Sequence, residues 1–255
     1  CTIEIWRAMR NQYIVKPHLD GSSFQLPGNR TGFVLLHGFT ATTTEVKPLA
    51  ERLHHEGYTI SAPLLPGHDS HPDDLNATAW QDWYGEAKNA YLSLRASSDQ
   101  VWVGGESMGA LLCLLLATEF PEVAGLLLFA PALKVRSLKA AYLAQFFIKY
   151  LDKSQKSNDQ EWKGYNVYPM KGAVQLLKLQ KKVRGNLHKV SQPTLVVVSK
   201  ADQTVPVNTG EEIIGSISSA VKQQIVLQGA PHTMLLGEDN QHIIDQAIEF
   251  IHSVS

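Results

Sequence analysis

Six short strand candidates, most of them apolar runs, recur along this chain: "FVLLHG" (33–38), "YTISAP" (58–63), "VWVGG" (101–105), "AGLLLFAPAL" (124–133), "PTLVVVSKAD" (193–202) and "KQQIVLQ" (222–228). Segments with helical periodicity lie between most of them, over residues 42–57, 79–96, 108–120 and 208–218, and after the last, over 239–254. A strand with apolar residues at every position is covered on both faces, and intervening helices let successive strands run parallel. The pattern predicts an α/β fold with a mostly parallel central sheet and helices on both faces. Ligands of such sheets bind outside the carboxyl ends of the strands.

The rhythm breaks over residues 134–190. There "SLKAAYLAQFFIKYL" and "GAVQLLKLQKKVRGNL" read as amphipathic helices around a polar stretch, with no strand candidate between them. The division expected is a core of residues 1–133 and 191–255, with 134–190 inserted as a helical cap or lid. Leu143, Phe146, Phe147 and Leu151 are candidates either to line an acyl channel or to form the buried face of the cap. The lysines at 171, 178, 181, 182 and 189 read as a solvated face.

Charge and composition narrow the function classes. The chain has 23 Lys and Arg against 24 Asp and Glu, and no basic stripe, so a nucleic-acid partner is not expected. Its longest apolar stretches fall short of the ~20 residues that span a bilayer, so no transmembrane segment is expected. Cys1 and Cys113 are its two cysteines. Cys113, among leucines, reads as a small buried hydrophobe, and no disulfide framework is expected. "CTIEIWRA" before Met9 lacks the apolar core of a signal peptide. A cytoplasmic location and a monomer or homodimer are expected, with a secreted or lipid-anchored form as the alternative.

The chemistry is carried by "GGESMGA" (104–110), in which Gly105-Glu106-Ser107-Met108-Gly109 follows a strand and opens a helix. That is the context of a nucleophile elbow, where small residues two positions either side of the serine permit a tight strand-to-helix turn. The competing reading is a serine that simply caps the helix. A serine hydroxyl needs a base to take its proton, and the base needs an acid to orient it. Of the ten histidines, His232 in "QGAPHTMLLGE" follows the last strand at the same sheet end as Ser107. His68 and His71 are weaker candidates in the loop after "YTISAP". His54 and His55 lie at a helix end, and His242 and His252 lie on the final helix. Asp202, directly after "TLVVVSKA", is the acid, its alternative being a turn residue before the next helix. The chain order is then Ser107, Asp202, His232, as expected of this architecture. "LLHGFTAT" (35–42) supplies an oxyanion loop. The Phe39 and Met108 N–H groups are the expected donors, Gly38 allows close approach of the substrate, and His37 reads as a loop-ordering residue.

These motifs resemble those of the α/β-hydrolase superfamily, and more narrowly the small bacterial carboxylesterases and monoacylglycerol lipases. The resemblance rests on "VLLHGFTA", "APLLPGHDSHPDDL" with "WQDWY", "GGESMGA", "PTLVVVSKADQTVP" and "GAPHTMLL", and runs from about residue 30 onward. It implies hydrolysis of a small-molecule acyl ester, of short to medium chain length or a monoacylglycerol, through an acyl-Ser107 intermediate. It implies no metal and no cofactor, an early hairpin or edge strand within residues 13–27, and a cap over 134–190. One departure is Ala41, where such enzymes often carry glycine. Alternatives within the fold are cleavage of a thioester, an amide or a carbon–carbon bond, and, from a different class, a slow ligand-binding receptor.

Overall fold

The structure is a computed structural model, and it describes residues 12–153 and 161–254. The segment before Met9 lies outside the described residues, as does part of the polar stretch between the two cap helices.

At its centre is a seven-stranded sheet. Its strands are β2 (Phe24–Leu26), β3 (Thr31–Leu36), β4 (Thr59–Ala62), β5 (Gln100–Glu106), β6 (Leu126–Phe129), β10 (Thr194–Ser199) and β11 (Lys222–Leu227), in the order β11-β10-β6-β5-β3-β4-β2. All neighbours are parallel except β2, which lies antiparallel along β4 with Phe24 opposite Ala62.

Alternate residues of each strand feed two separate cores. Val34, Leu36, Val101, Val103, Leu126 and Leu128 face α3 (Trp80–Arg95), α4 (Met108–Glu119), α6 (Met170–Arg184) and α7 (Asn208–Ser216). Phe33, Leu35, Trp102, Leu127, Phe129 and Val197 face α1 (Lys47–His55) and α8 (Asn240–Val254). Helix α4 is buried from Met108 to Ala117, which accounts for its being apolar around most of its circumference.

Within 134–190 the structure departs from a purely helical cap. A one-turn helix, α5 (Ala141–Ala144), leads into β7 (Tyr150–Asp152), which pairs antiparallel with β9 (Val167–Pro169). The strand β8 (Gly164–Tyr165) pairs with β1 (Ile14–Val15), so "YIVKPH" joins the cap rather than the central sheet. Strands of two or three residues carry too little periodicity to be read from sequence, and β8 finds its partner near the start of the described chain.

Helix α6 also belongs to the main core. Leu176, Leu179 and Val183 enter the main core, and the Gln180 side chain donates to the Ala132 carbonyl at 2.7 Å. Its lysines at 171, 178, 181 and 182 are exposed on the opposite face. Among the described residues, no helix is long and apolar enough to cross a membrane.

Candidate active site

The sheet order reverses at β3. The chain passes from β3 to β4 on one side and then to β5 on the other, which opens a crevice at the carboxyl ends of β3 and β5. Leu36 and Gly105 are paired there, so the loops that follow them, His37–Thr40 and Ser107, meet at the crevice.

Ser107 sits between β5 and α4 with φ 56° and ψ −112°, a conformation that costs a non-glycine residue about 1–3 kcal/mol. Its N–H donates to the Phe129 carbonyl at 2.9 Å, and its carbonyl accepts from Ala132 N–H at 3.1 Å. These bonds hold the strained turn in place. The tightness also explains Gly109, where a Cβ would lie 1.9 Å from the Leu36 carbonyl oxygen.

His232 Nε2 lies 3.0 Å from Ser107 Oγ, and its Nδ1 lies 2.8 Å from Asp202 Oδ2. The other oxygen of Asp202 accepts from the N–H groups of Thr204 at 2.7 Å and Val205 at 2.9 Å. Asp202 is thus buried with both oxygens engaged, an arrangement that fixes the plane of its carboxylate. With Oδ2 facing Nδ1, that nitrogen carries the proton and Nε2 is free to accept one from the serine. A hydrogen bond from Ser199 Oγ to the Ala230 carbonyl at 2.6 Å ties the end of β10 to the loop that carries His232.

The loop after β3 is held from several directions. Gly38 N–H donates to Glu45 Oε2 at 2.5 Å, so this amide is already engaged. A Cβ at Gly38 would stand 3.2 Å from Ser107 Cβ, so glycine lets the loop lie against the serine. Met108 is the first residue of α4, and its N–H therefore has no carbonyl partner within that helix.

The cap stitches to the same loop. Tyr165 N–H donates to the Thr40 carbonyl at 2.8 Å, Ala41 bridges Gly164, and Thr42 Oγ1 donates to the Lys163 carbonyl at 3.1 Å. Lys153, half-buried with its ammonium over the rings of Trp162 and Tyr168, donates to Thr40 Oγ1 at 2.6 Å. Desolvation pulls its ammonium down to about 7.

His37, His68 and His71 have structural partners. His37 Nε2 accepts from Leu65 N–H at 3.0 Å, so Nδ1 must carry the proton that it shares with the Gly38 carbonyl at 2.9 Å. His68 Nδ1 faces the carbonyls of Leu65 and Pro66, and its ring packs edge-on to His37. His71 caps α2 (Pro72–Ala77) by accepting from Asp73 N–H.

Leu143, Phe146 and Phe147 do not join this cluster. They are 73%, 76% and 85% exposed, and Leu151 is half exposed. Phe146 and Phe147 border an open hollow of about 520 Å³ with Asp73, Asn76, Lys149 and Lys171, away from the serine. The buried face of this segment is formed instead by Leu138, Ala141 and Ala144, which pack against Met170, Ala173, Val174 and Leu177 of α6. Glu45, Glu106 and Lys153 were not among the expected site residues. Glu106 carries a readable signal, as a carboxylate that ends an otherwise apolar strand.

Residues 28–240 match the hydrolase family described as serine aminopeptidase, S33. The chain belongs to this family. It is 31% identical to the thermostable monoacylglycerol lipase of Bacillus sp. (strain H-257), over 95% of this chain and 98% of that protein. To the carboxylesterase of Bacillus subtilis (strain 168) it is 26% identical, over 89% of this chain and 95% of that one. Among solved structures, a metagenome-derived lipolytic enzyme superposes with a TM-score of 0.86 at 28% identity, covering 92% of this chain and 99% of its own. The protein is a serine ester hydrolase of the α/β-hydrolase fold.

Proposed function

We propose that Ser107, His232 and Asp202 are the catalytic triad of a two-step ester hydrolysis, with the N–H groups of Phe39 and Met108 as oxyanion donors. The observation that carries this reading is the unbroken line Asp202–His232–Ser107, at 2.8 and 3.0 Å, beside a loop packed against the serine. His232 Nε2 takes the Oγ proton as Ser107 attacks the ester carbonyl, and Asp202 stabilises the imidazolium that forms. Negative charge on the carbonyl oxygen falls between the two amides. Collapse of the tetrahedral intermediate expels the alcohol, which receives its proton from His232. Water, deprotonated by the same nitrogen, then attacks the acyl-Ser107 ester and releases the acid.

The proposed substrate is an uncharged acyl ester of short to medium chain, or a monoacylglycerol. The names of the two bacterial relatives support that choice. The proposed setting is the cytoplasm, in keeping with Cys113, which is buried and unpaired. The family's description favours a second reading, cleavage of an N-terminal amide. Recognition of a substrate ammonium there calls for an available carboxylate. The buried acids Glu45 and Glu106 are instead engaged with backbone N–H groups of Gly38, Met234 and Leu235, and Asp202 with His232, Thr204 and Val205.

Steady-state hydrolysis of p-nitrophenyl esters from acetyl to dodecanoyl, by the wild type and by Ser107→Ala, tests the reading. Turnover that disappears in the variant supports it, and the chain-length optimum reports the acyl pocket. A single burst without turnover favours a binding role. Inactivity on every ester, with cleavage of an aminoacyl p-nitroanilide, favours the amide reading.

A further inference from the structure

Two carboxyl groups with no step in this chemistry lie directly behind it. Glu45, on the 3₁₀ turn Thr43–Val46, and Glu106, the last residue of β5, are 3% and 0% exposed. Glu45 Oε2 accepts from Gly38 N–H at 2.5 Å. Glu106 Oε1 accepts from Met234 N–H at 2.7 Å and more weakly from Leu235 N–H at 3.4 Å. Glu106 Oε2 has no protein partner among the described residues.

The location of these bonds gives them meaning. Gly38 immediately precedes Phe39, Met234 lies two residues beyond His232, and Glu106 immediately precedes Ser107. A backbone N–H in a buried loop must find an acceptor. Here the acceptors are side chains rooted in neighbouring catalytic elements, so the bonds set the spacing of those elements. Glu106 spans from the nucleophile turn to the histidine loop, and Glu45 from the 3₁₀ turn to the oxyanion loop. A displacement of about 1 Å in such a group costs on the order of 10²-fold in rate.

We propose that Glu45 and Glu106 are positioning residues of the hydrolysis, holding the oxyanion loop and the His232 loop in register with Ser107. The inference rests on the assignment of Ser107 and His232 made above. Burial, reinforced by repulsion from Glu45 and Asp202, pushes the Glu106 carboxyl well above the usual carboxylate range, and burial pushes Glu45 up as well. Both shifts disfavour a charged carboxylate behind the developing oxyanion.

The test is kcat and KM on p-nitrophenyl butyrate for Glu106→Leu, Glu106→Gln, Glu45→Leu and Glu45→Gln, with Ser107→Ala as the blank and circular dichroism to establish folding. Each leucine variant is expected to lose about tenfold or more in kcat, with KM within about threefold, because the acceptor is gone while the pocket remains. Each glutamine variant keeps an acceptor oxygen and is expected to recover most of that loss. A folded Glu106→Leu protein with kcat within threefold of wild type overturns the proposal, as does a glutamine variant as impaired as its leucine counterpart. Should the leucine proteins not fold, Glu106→Gln decides alone. Retention of kcat within threefold across pH 6–9 supports a hydrogen-bonding role, and a loss above tenfold overturns it. Activity that survives in Ser107→Ala would instead overturn the functional reading on which the proposal rests.

Discussion

In the proposed mechanism Asp202 serves folding and chemistry through different atoms. Oδ1 receives two backbone N–H groups, and Oδ2 faces the imidazole. In Asp202→Asn the remaining oxygen can keep the backbone bonds, while the amide N–H₂ meets Nδ1 and forces the proton to Nε2. The base is then in the wrong tautomer. A loss of about 10³- to 10⁴-fold in kcat is expected with little change in Tm, as measured by ester hydrolysis and thermal melting. An equal loss of stability would make Asp202 chiefly structural. His37 shows the energetic side of burial. Desolvation pushes its imidazole down to about 4, against 6.5 for an ordinary histidine. A depressed histidine contributes stability that is present above 6.5 and lost as the pH falls towards 4. Burial lowers His68 in the same direction, whereas Glu45 and Glu106, being raised, lose stability as the pH rises. The comparison must therefore isolate one group. From pH 7 to pH 5, wild type should lose about 2 kcal/mol more than His37→Asn in urea unfolding. An equal loss in both proteins would refute this role for His37.

At the scale of elements, the loop proposed to hold the oxyanion is bonded as much by residues 150–165 as by the sheet. Strand β3 delivers it to the crevice, yet the Thr40 carbonyl is bonded by β8 and the Thr40 hydroxyl by Lys153. Thr40 has φ 67°, a left-handed conformation, and these bonds help to hold it there. Packing at Gly164 is close enough that an added Cβ would lie 2.2 Å from the Thr40 carbonyl oxygen and 2.6 Å from the Trp162 ring. In Gly164→Ala the backbone of one partner must move. We expect kcat to fall about tenfold or more while the triad geometry persists, as a shifted oxyanion loop stabilises the transition state less well. Kinetics with p-nitrophenyl butyrate, alongside a crystal structure of the variant, check this. An unshifted loop with reduced kcat would place the effect elsewhere.

Across the whole molecule, two cores on opposite faces of the sheet hold the crevice rigid, while the cap leaves a run of large apolar side chains in solvent. Because Phe147 is 85% exposed, Phe147→Ser should change unfolding free energy by less than about 0.5 kcal/mol. It should also reduce self-association at high protein concentration, as read by light scattering. A loss of several kcal/mol would mean that the side chain is buried in solution. Much of this architecture was legible in the amino-acid order. The strands that lead to the oxyanion loop, Ser107 and Asp202 are apolar runs buried along nearly their whole length, and such a run can be satisfied only between two layers of helix, whereas β11, before His232, is a partly exposed edge strand. "GGESMGA", "SKAD" and "GAPHT" each sit where a strand candidate ends, so Ser107, Asp202 and His232 could be assigned to one end of the sheet before any coordinates. The cap was not legible, since β7, β8 and β9 are two or three residues long and draw their order from partners such as Ile14 and Pro169. Nor were the roles of Glu45 and Lys153, which lie over one hundred residues apart in sequence and meet the loop between His37 and Thr40 only after folding. Local periodicity records how each segment is covered, but not which distant side chain completes a hydrogen bond. That second kind of information exists only once the sheet order has brought the loops together.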